Sequence, residues 1–73
     1  MRKVHGPALK ALRGALGIPA WKFANDCGIS AAYLSNIEAG RKQPSEEIVT
    51  AMARRLGETK DSITYVIPEV GAA

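Results

Sequence analysis

The chain has 73 residues, ten Lys or Arg against seven Asp or Glu, one Cys and one His. A domain this small often needs a staple, yet Cys27 has no disulfide partner and one Cys with one His cannot complete a four-ligand zinc shell, so helix packing or a second copy must supply the stability. No apolar run reaches the roughly 20 residues of a membrane span, Met1 to Pro7 lacks an apolar signal core, and residues 1–42 carry +5 against −2 in residues 43–73; a cytoplasmic protein with a polyanion on one face is the expectation.

Gly6-Pro7 opens the first predicted helix, Gly as N-cap and Pro at the first helical position, where its missing N–H would be unpaired anyway. Leu9, Leu12 and Leu16 follow at helical spacing with Ala8 and Ala15 beside them, while Lys10 and Arg13 point away from that stripe. Gly14 weakens this helix by roughly 1 kcal/mol relative to Ala, and Gly17 ends it.

A second helix runs from about Pro19 to Cys27, with Phe23, Ala24 and Cys27 on its inward face and Gly28 closing it in a left-handed conformation. Ser30 then caps a third, Ala31 to Ala39, with Leu34 and Ile37 inward. Two short helices joined by a turn of three or four residues containing Gly cross steeply, which is the helix-turn-helix arrangement.

Ser45 caps a fourth helix whose first turn carries Glu46 and Glu47, matching the helix dipole; Val49, Met52, Ala53 and Leu56 form its apolar stripe, Ile48 flanks it, and Gly57 stops it. Thr59 caps one more turn, Lys60 to about Thr64, placing Ile63 against the core. The run Ile63 to Ile67, β-branched and aromatic and ended by Pro68, reads as a short strand. Three arrangements stay open for it: pairing with the arm Arg2 to His5, pairing with a symmetry mate, or fraying.

Taken together, Leu12-Arg13, Phe23-Ala24, Cys27-Gly28-Ile29-Ser30, Tyr33-Leu34-Ser35, Ile37-Glu38, Gly40-Arg41 and Pro44-Ser45 resemble the DNA-binding domain of lambda-type repressors, Cro proteins and the wider Xre family, over roughly residues 8 to 64. The resemblance implies an all-α fold, a compact five-helix lambda repressor-like domain with a short extended C-terminal tail. One domain is expected over residues 1–73, with its core at about 7–64 and its tail at 65–73. The nine or so residues past that core are expected to be too few for a second domain. The implied function is a sequence-specific, double-stranded DNA-binding transcriptional regulator: a Cro-like or small phage or prophage repressor that binds an inverted-repeat operator as a homodimer, with no cofactor, small-molecule ligand or membrane partner.

Two departures shape the expected readout. Family members commonly carry Ser or Thr followed by Gln where this chain has Pro19 and Ala20, so a side-chain cap and a phosphate brace are missing. Ala31 and Ala32 stand where the family often places Gln, Arg or Ser on bases, and Ala reads only apolar features such as the thymine methyl. Polar reading then falls on Asn36, whose amide can pair bidentately with adenine, on Ser35 and on Tyr33. Phosphates and duplex shape take a larger share, with Lys22, Arg41, Lys42 and Gln43 on the DNA backbone.

Glu38 is expected to steady the basic loop, with Arg41 as its partner. Cys27 reads as a buried inert thiol, and Trp21 as covering apolar surface near the tail or else stacking at an interface or near DNA. Tyr65, Val66 and Ile67 are assigned to tail or dimer packing, and His5 to nothing. A single His leaves no Ser/His/Asp set, and no Gly-rich phosphate loop or carboxylate pair sits on an active-site scaffold, so no enzyme is expected. Two other functions fit the residues: an antitoxin-type autorepressor whose tail engages a toxin, and a protein-interaction module that keeps the fold but has lost specific DNA readout.

Overall fold

Apolar side chains at three- and four-residue spacing gather four α-helices around one core in the computed structural model, which describes residues 2–66. The order is β1 (Arg2–Val4), α1 (Gly6–Ala15), α2 (Ala20–Asp26), α3 (Ala31–Glu38), α4 (Glu46–Leu56), a single 3-10 turn (Lys60–Ser62) and β2 (Thr64–Val66). Phe23, Leu9, Leu34, Ile37, Met52 and Ile63 are fully buried, so α1 to α4 and the segment before β2 each contribute to one cluster. Burying each of these side chains stabilises the fold by about 1.5–3 kcal/mol.

The turn between α2 and α3 sets the angle of the third helix. Gly28 takes φ 76°, a left-handed backbone that a side chain would strain; its N–H donates to Asn25 O, and Ile29 N–H donates to Ala24 O. Ile29 packs against the core, and Ser30 Oγ accepts the Tyr33 N–H at 3.0 Å, starting α3 at once. Pro19 begins α2 without a side-chain cap, whereas Ser45 Oγ accepts from Ile48 N at the start of α4. Gly17 and Gly57 end α1 and α4 where their positions predict.

Four points differ from the sequence-based expectation. The fold is not purely helical and has four helices rather than five, the fifth shrinking to the 3-10 turn; the expected short strand is present as β2 and takes the first of its three open arrangements, antiparallel with β1 in the register Arg2–Val66, Lys3–Tyr65 and Val4–Thr64. A longer helix would consume the β-branched residues that reach back to β1. The N-cap of α1 is His5, not Gly6: Nδ1 accepts the Ala8 N–H at 3.0 Å. Leu16 lies past the last helical turn of α1 and is 55% exposed, so the inward stripe ends at Leu12. Trp21 is 66% exposed and covers no core surface.

Gly6 has a different task. It is buried where the start of α1 meets the end of α3, and a Cβ there would lie 2.3 Å from the Glu38 carbonyl oxygen and 2.8 Å from that of Ile37. Backbone cannot swing aside as a flexible side chain does. Among the described residues no helix is long and apolar enough to cross a membrane.

Gly6→Ala is therefore expected to cost about 1–3 kcal/mol in urea unfolding, while Gly14→Ala, with open space around the added methyl, gains about 0.5–1 kcal/mol. Equal effects from the two changes would reject the close approach of α1 to α3. Cys27 is buried and its thiol is pushed up by that burial, with neighbouring Asp26 adding to the shift. An aromatic disulfide reagent at neutral pH is expected to react with it only as fast as the chain unfolds.

Candidate nucleic-acid interface

Helical geometry divides α3 into two faces. Leu34 and Ile37 face the core, and Tyr33 packs partly against it; Ala31, Ala32 and Ser35 are exposed, with Asn36 half-exposed beside them. The predicted base-reading set is thus split, since Tyr33 leans on the core while the two alanines, Ser35 and Asn36 share the outer side.

The end of α3 is built from backbone. Gly40, at φ 80°, donates to Ile37 O, and the Arg41 and Lys42 N–H groups both donate to Asn36 O at 2.8 and 3.3 Å. This fold-back holds the loop against the helix and leaves the Arg41 and Lys42 side chains exposed. Arg41 Nε also donates to Asn36 Oδ1 at 2.9 Å, which orients the carboxamide that the sequence puts forward for base reading.

Glu38 does not pair with Arg41. Its carboxylate accepts from Arg13 Nε at 2.8 Å and Arg13 Nη2 at 3.3 Å, while Arg13 Nη1 donates to Ile18 O at 2.9 Å. The arginine judged to point away from the helical stripe thus turns inward, to 14% side-chain exposure against 9% for Glu38. Arg13 is on α1, next to the end of α3 because Gly6 lets the two helices close up; sequence spacing alone carries no sign of that meeting. The acid at the end of α3 is neutralised within the protein, and Arg41 is left to the surface.

Lys22 lies on α2, exposed, with Nζ 3.9 Å from Asp26 Oδ2. The hydrogen bond from Arg55 holds the Asp26 carboxyl below its ordinary value, and Lys22 adds to that effect. Gln43 is tied elsewhere: its Oε1 accepts the Val4 N–H at 2.8 Å and its Nε2 donates to Val4 O at 3.4 Å, pinning β1 to the loop. Tyr65 and Val66 lie on β2, both exposed, and the Tyr65 ring meets the His5 ring edge-on at 5.9 Å. Ile67, also assigned to tail packing, falls outside the described residues.

Two short helices crossing through a glycine turn, the second presenting an acid-neutralised face above a basic loop, make this a lambda-repressor-like helix-turn-helix protein. The helix-turn-helix domain family matches residues 6–63, and the chain belongs to it. It is 36% identical over 56 residues to the transcriptional regulator ClgR of Mycobacterium tuberculosis, a match covering 77% of this chain and 50% of that protein. The chain therefore spans about half the length of the curated relatives it matches. The crystal structure of the clp gene regulator ClgR from Corynebacterium glutamicum superposes with TM-score 0.74 at 32% identity, over 77% of this chain and 60% of that one. The P22 c2 repressor in complex with a synthetic operator shares the fold with TM-score 0.75 at 24% identity, over 81% and 89% of the two chains.

Glu38→Gln strips Arg13 of its counter-charge in a poorly hydrated site and is expected to cost about 2–3 kcal/mol by urea unfolding. Arg13→Met should cost a similar amount, and the double variant less than the sum of the two. Strict additivity would mean that the pair does not couple α1 to α3.

Proposed function

We propose that the chain is a sequence-specific, double-stranded DNA-binding transcriptional regulator that works as a repressor on an inverted-repeat operator. The exposed side of α3, from Ala31 and Ala32 to Ser35 and Asn36, enters the major groove, with Tyr33 at its margin; Arg41 and Lys42 hold the backbone, and Lys22 adds a contact from α2. The observation that carries this reading is the pairing of Glu38 with Arg13, which leaves a helix face with no free acid beside two exposed cations. Repulsion of phosphates is removed at the point where the loop meets the duplex.

Asn36 and Arg41 act together in this reading. Adenine recognition needs both the carbonyl oxygen and the amide nitrogen of Asn36, and Arg41 Nε already approaches that oxygen. Arg41 thus both meets phosphate and sets the rotamer of the base reader. Ala31 and Ala32 add contact with thymine methyls, and duplex shape supplies the rest of the discrimination.

A single module reads few base pairs, so two copies on half-sites about 34 Å apart fit an operator better. The outer edge of β2 supports self-association: among the described residues its strand pairs with β1 alone, and Val66 on it is 62% exposed. Regulation of a target gene follows from occupancy of such an operator, as the names of the ClgR and P22 c2 relatives imply for those proteins. The exposed Trp21 favours a second reading, a protein contact of the kind an antitoxin or interaction module makes.

The test is selection of bound duplexes from a randomised pool at about 100 mM salt, where non-specific attraction to phosphate is partly suppressed. An enriched inverted repeat is the expected outcome; no enrichment by folded protein would turn the search to protein partners. On the selected site, Lys42→Gln is expected to weaken binding evenly across sequences and to reduce the salt slope by about one, Asn36→Ala to relax one position of each half-site, and Arg41→Ala to do both. Val66→Lys is expected to shift sedimentation towards the monomer at an unchanged melting temperature.

A further inference from the structure

Beside the loop that leaves α3 lies an open groove of about 580 Å³, walled on one side by Gly40 and Arg41 and on the other by Lys3, His5 and Tyr65. Among the described residues no acidic one lines it. Neither Lys3 nor Arg41 makes an ion pair among the described residues, whereas Arg2, on the same strand as Lys3, pairs with Asp61 of the 3-10 turn, and Lys60 with Glu46 at 3.3 Å. Two uncompensated cations therefore face one space. His5 adds a donor: Nδ1 accepts the Ala8 N–H, so the proton of the neutral ring sits on Nε2, away from the helix.

The groove is held in shape. Gln43 clamps both polar groups of Val4, His5 N–H donates to Ile63 O at 2.7 Å, and Lys3 pairs with Tyr65 across the sheet, so the arm cannot drift from the loop. It is also continuous with the recognition surface, because Arg41 on its wall is the residue bonded to Asn36.

The geometry points to this groove as a phosphate subsite for the sugar-phosphate backbone of the same duplex that α3 engages, with Lys3 as its principal cation. The inference rests on the DNA-binding reading and extends it to the β1 arm, which lies outside the helix-turn-helix. Lys3 holds a backbone phosphate next to the one held by Arg41 and Lys42, and the sheet acts as a rigid bracket that fixes the spacing between them. Gln43 is a positioning residue here, acting through Val4.

The experiment uses the full chain, its K3Q and K3R variants, and the selected duplex carrying one uncharged methylphosphonate linkage at a time. With wild-type protein, several linkages are expected to weaken binding on neutralisation. K3Q is expected to bind the unmodified duplex about three- to ten-fold more weakly, to lower the salt slope by about one, and to become insensitive at one linkage that remains sensitive for K42Q. K3R restores binding, and the melting temperature and selected bases stay unchanged in all three proteins. K3Q that binds like wild type, with the same sensitive linkages, overturns the subsite. So does a K3R variant that fails to recover binding, since charge would then not be the operative property. Failure of the DNA-binding reading itself shows differently, as wild-type protein that prefers no duplex. An effect of inorganic phosphate on the Lys3 and His5 resonances without any loss of DNA affinity in K3Q would mark a free-anion site and reject the duplex as occupant.

Discussion

The forked contact between Arg13 and Glu38 is the constraint on which the geometry of the rest depends. A guanidinium and a carboxylate withdrawn this far from water must meet each other well, and the two N–H donations to the carboxylate satisfy that requirement. The third donation, to Ile18 O, reaches the segment that leads into α2, so one side chain ties α1, the approach to α2 and the last turn of α3 together. Gly6 makes that meeting possible by letting the start of α1 close onto the Glu38 carbonyl. The angle at which α3 stands out from the domain follows from these two contacts and from the left-handed turn at Gly28.

The chain ends form a second system. β1 and β2 are three residues each, too short to be stable alone, and they persist because both are fastened to the helical core. Val4 and Ile63 are buried, Gln43 holds Val4 from the loop after α3, and Ile63 O receives the His5 N–H. His5 serves twice, as a cap for α1 and as an aromatic contact to Tyr65. The sheet therefore links the start of α1, the basic loop and the segment after α4 without adding a core of its own.

Charge follows from the same arrangement. An acid at the end of a helix opposes both the helix dipole and an approaching phosphate, and its partner on α1 removes both conflicts. Asp26 is likewise flanked by Lys22 and Arg55. Among the described residues, the charges left free around the end of α3 are cationic: Arg41, Lys42 and, across the groove, Lys3.

Local residue chemistry was enough to locate much of this. Ser30 and Ser45 mark helix starts because a side-chain oxygen next to a free N–H is a local event, Gly17, Gly28 and Gly57 mark ends because the left-handed backbone is local, and the burial of Phe23, Leu34, Ile37, Met52 and Ile63 follows from spacing along the chain. The exposed side of α3 and the basic loop were legible for the same reason. Partners distant in sequence were not. Arg13 and Glu38 are 25 positions apart, and Val4 and Gln43 are 39 apart, so no periodicity joins them; Arg41 was given the nearest acid when the packed helices offered that acid a better-placed arginine. The fifth helix likewise shrank to one 3-10 turn: the β-branched run marks a strand locally, but which of its three open arrangements it takes, with Arg2 opposite Val66 64 positions away, was decided by the fold. Capping, turns and amphipathic spacing are short-range and written in consecutive residues, whereas ion-pair choice, strand pairing and the walls of a groove depend on which surfaces the folded core brings together.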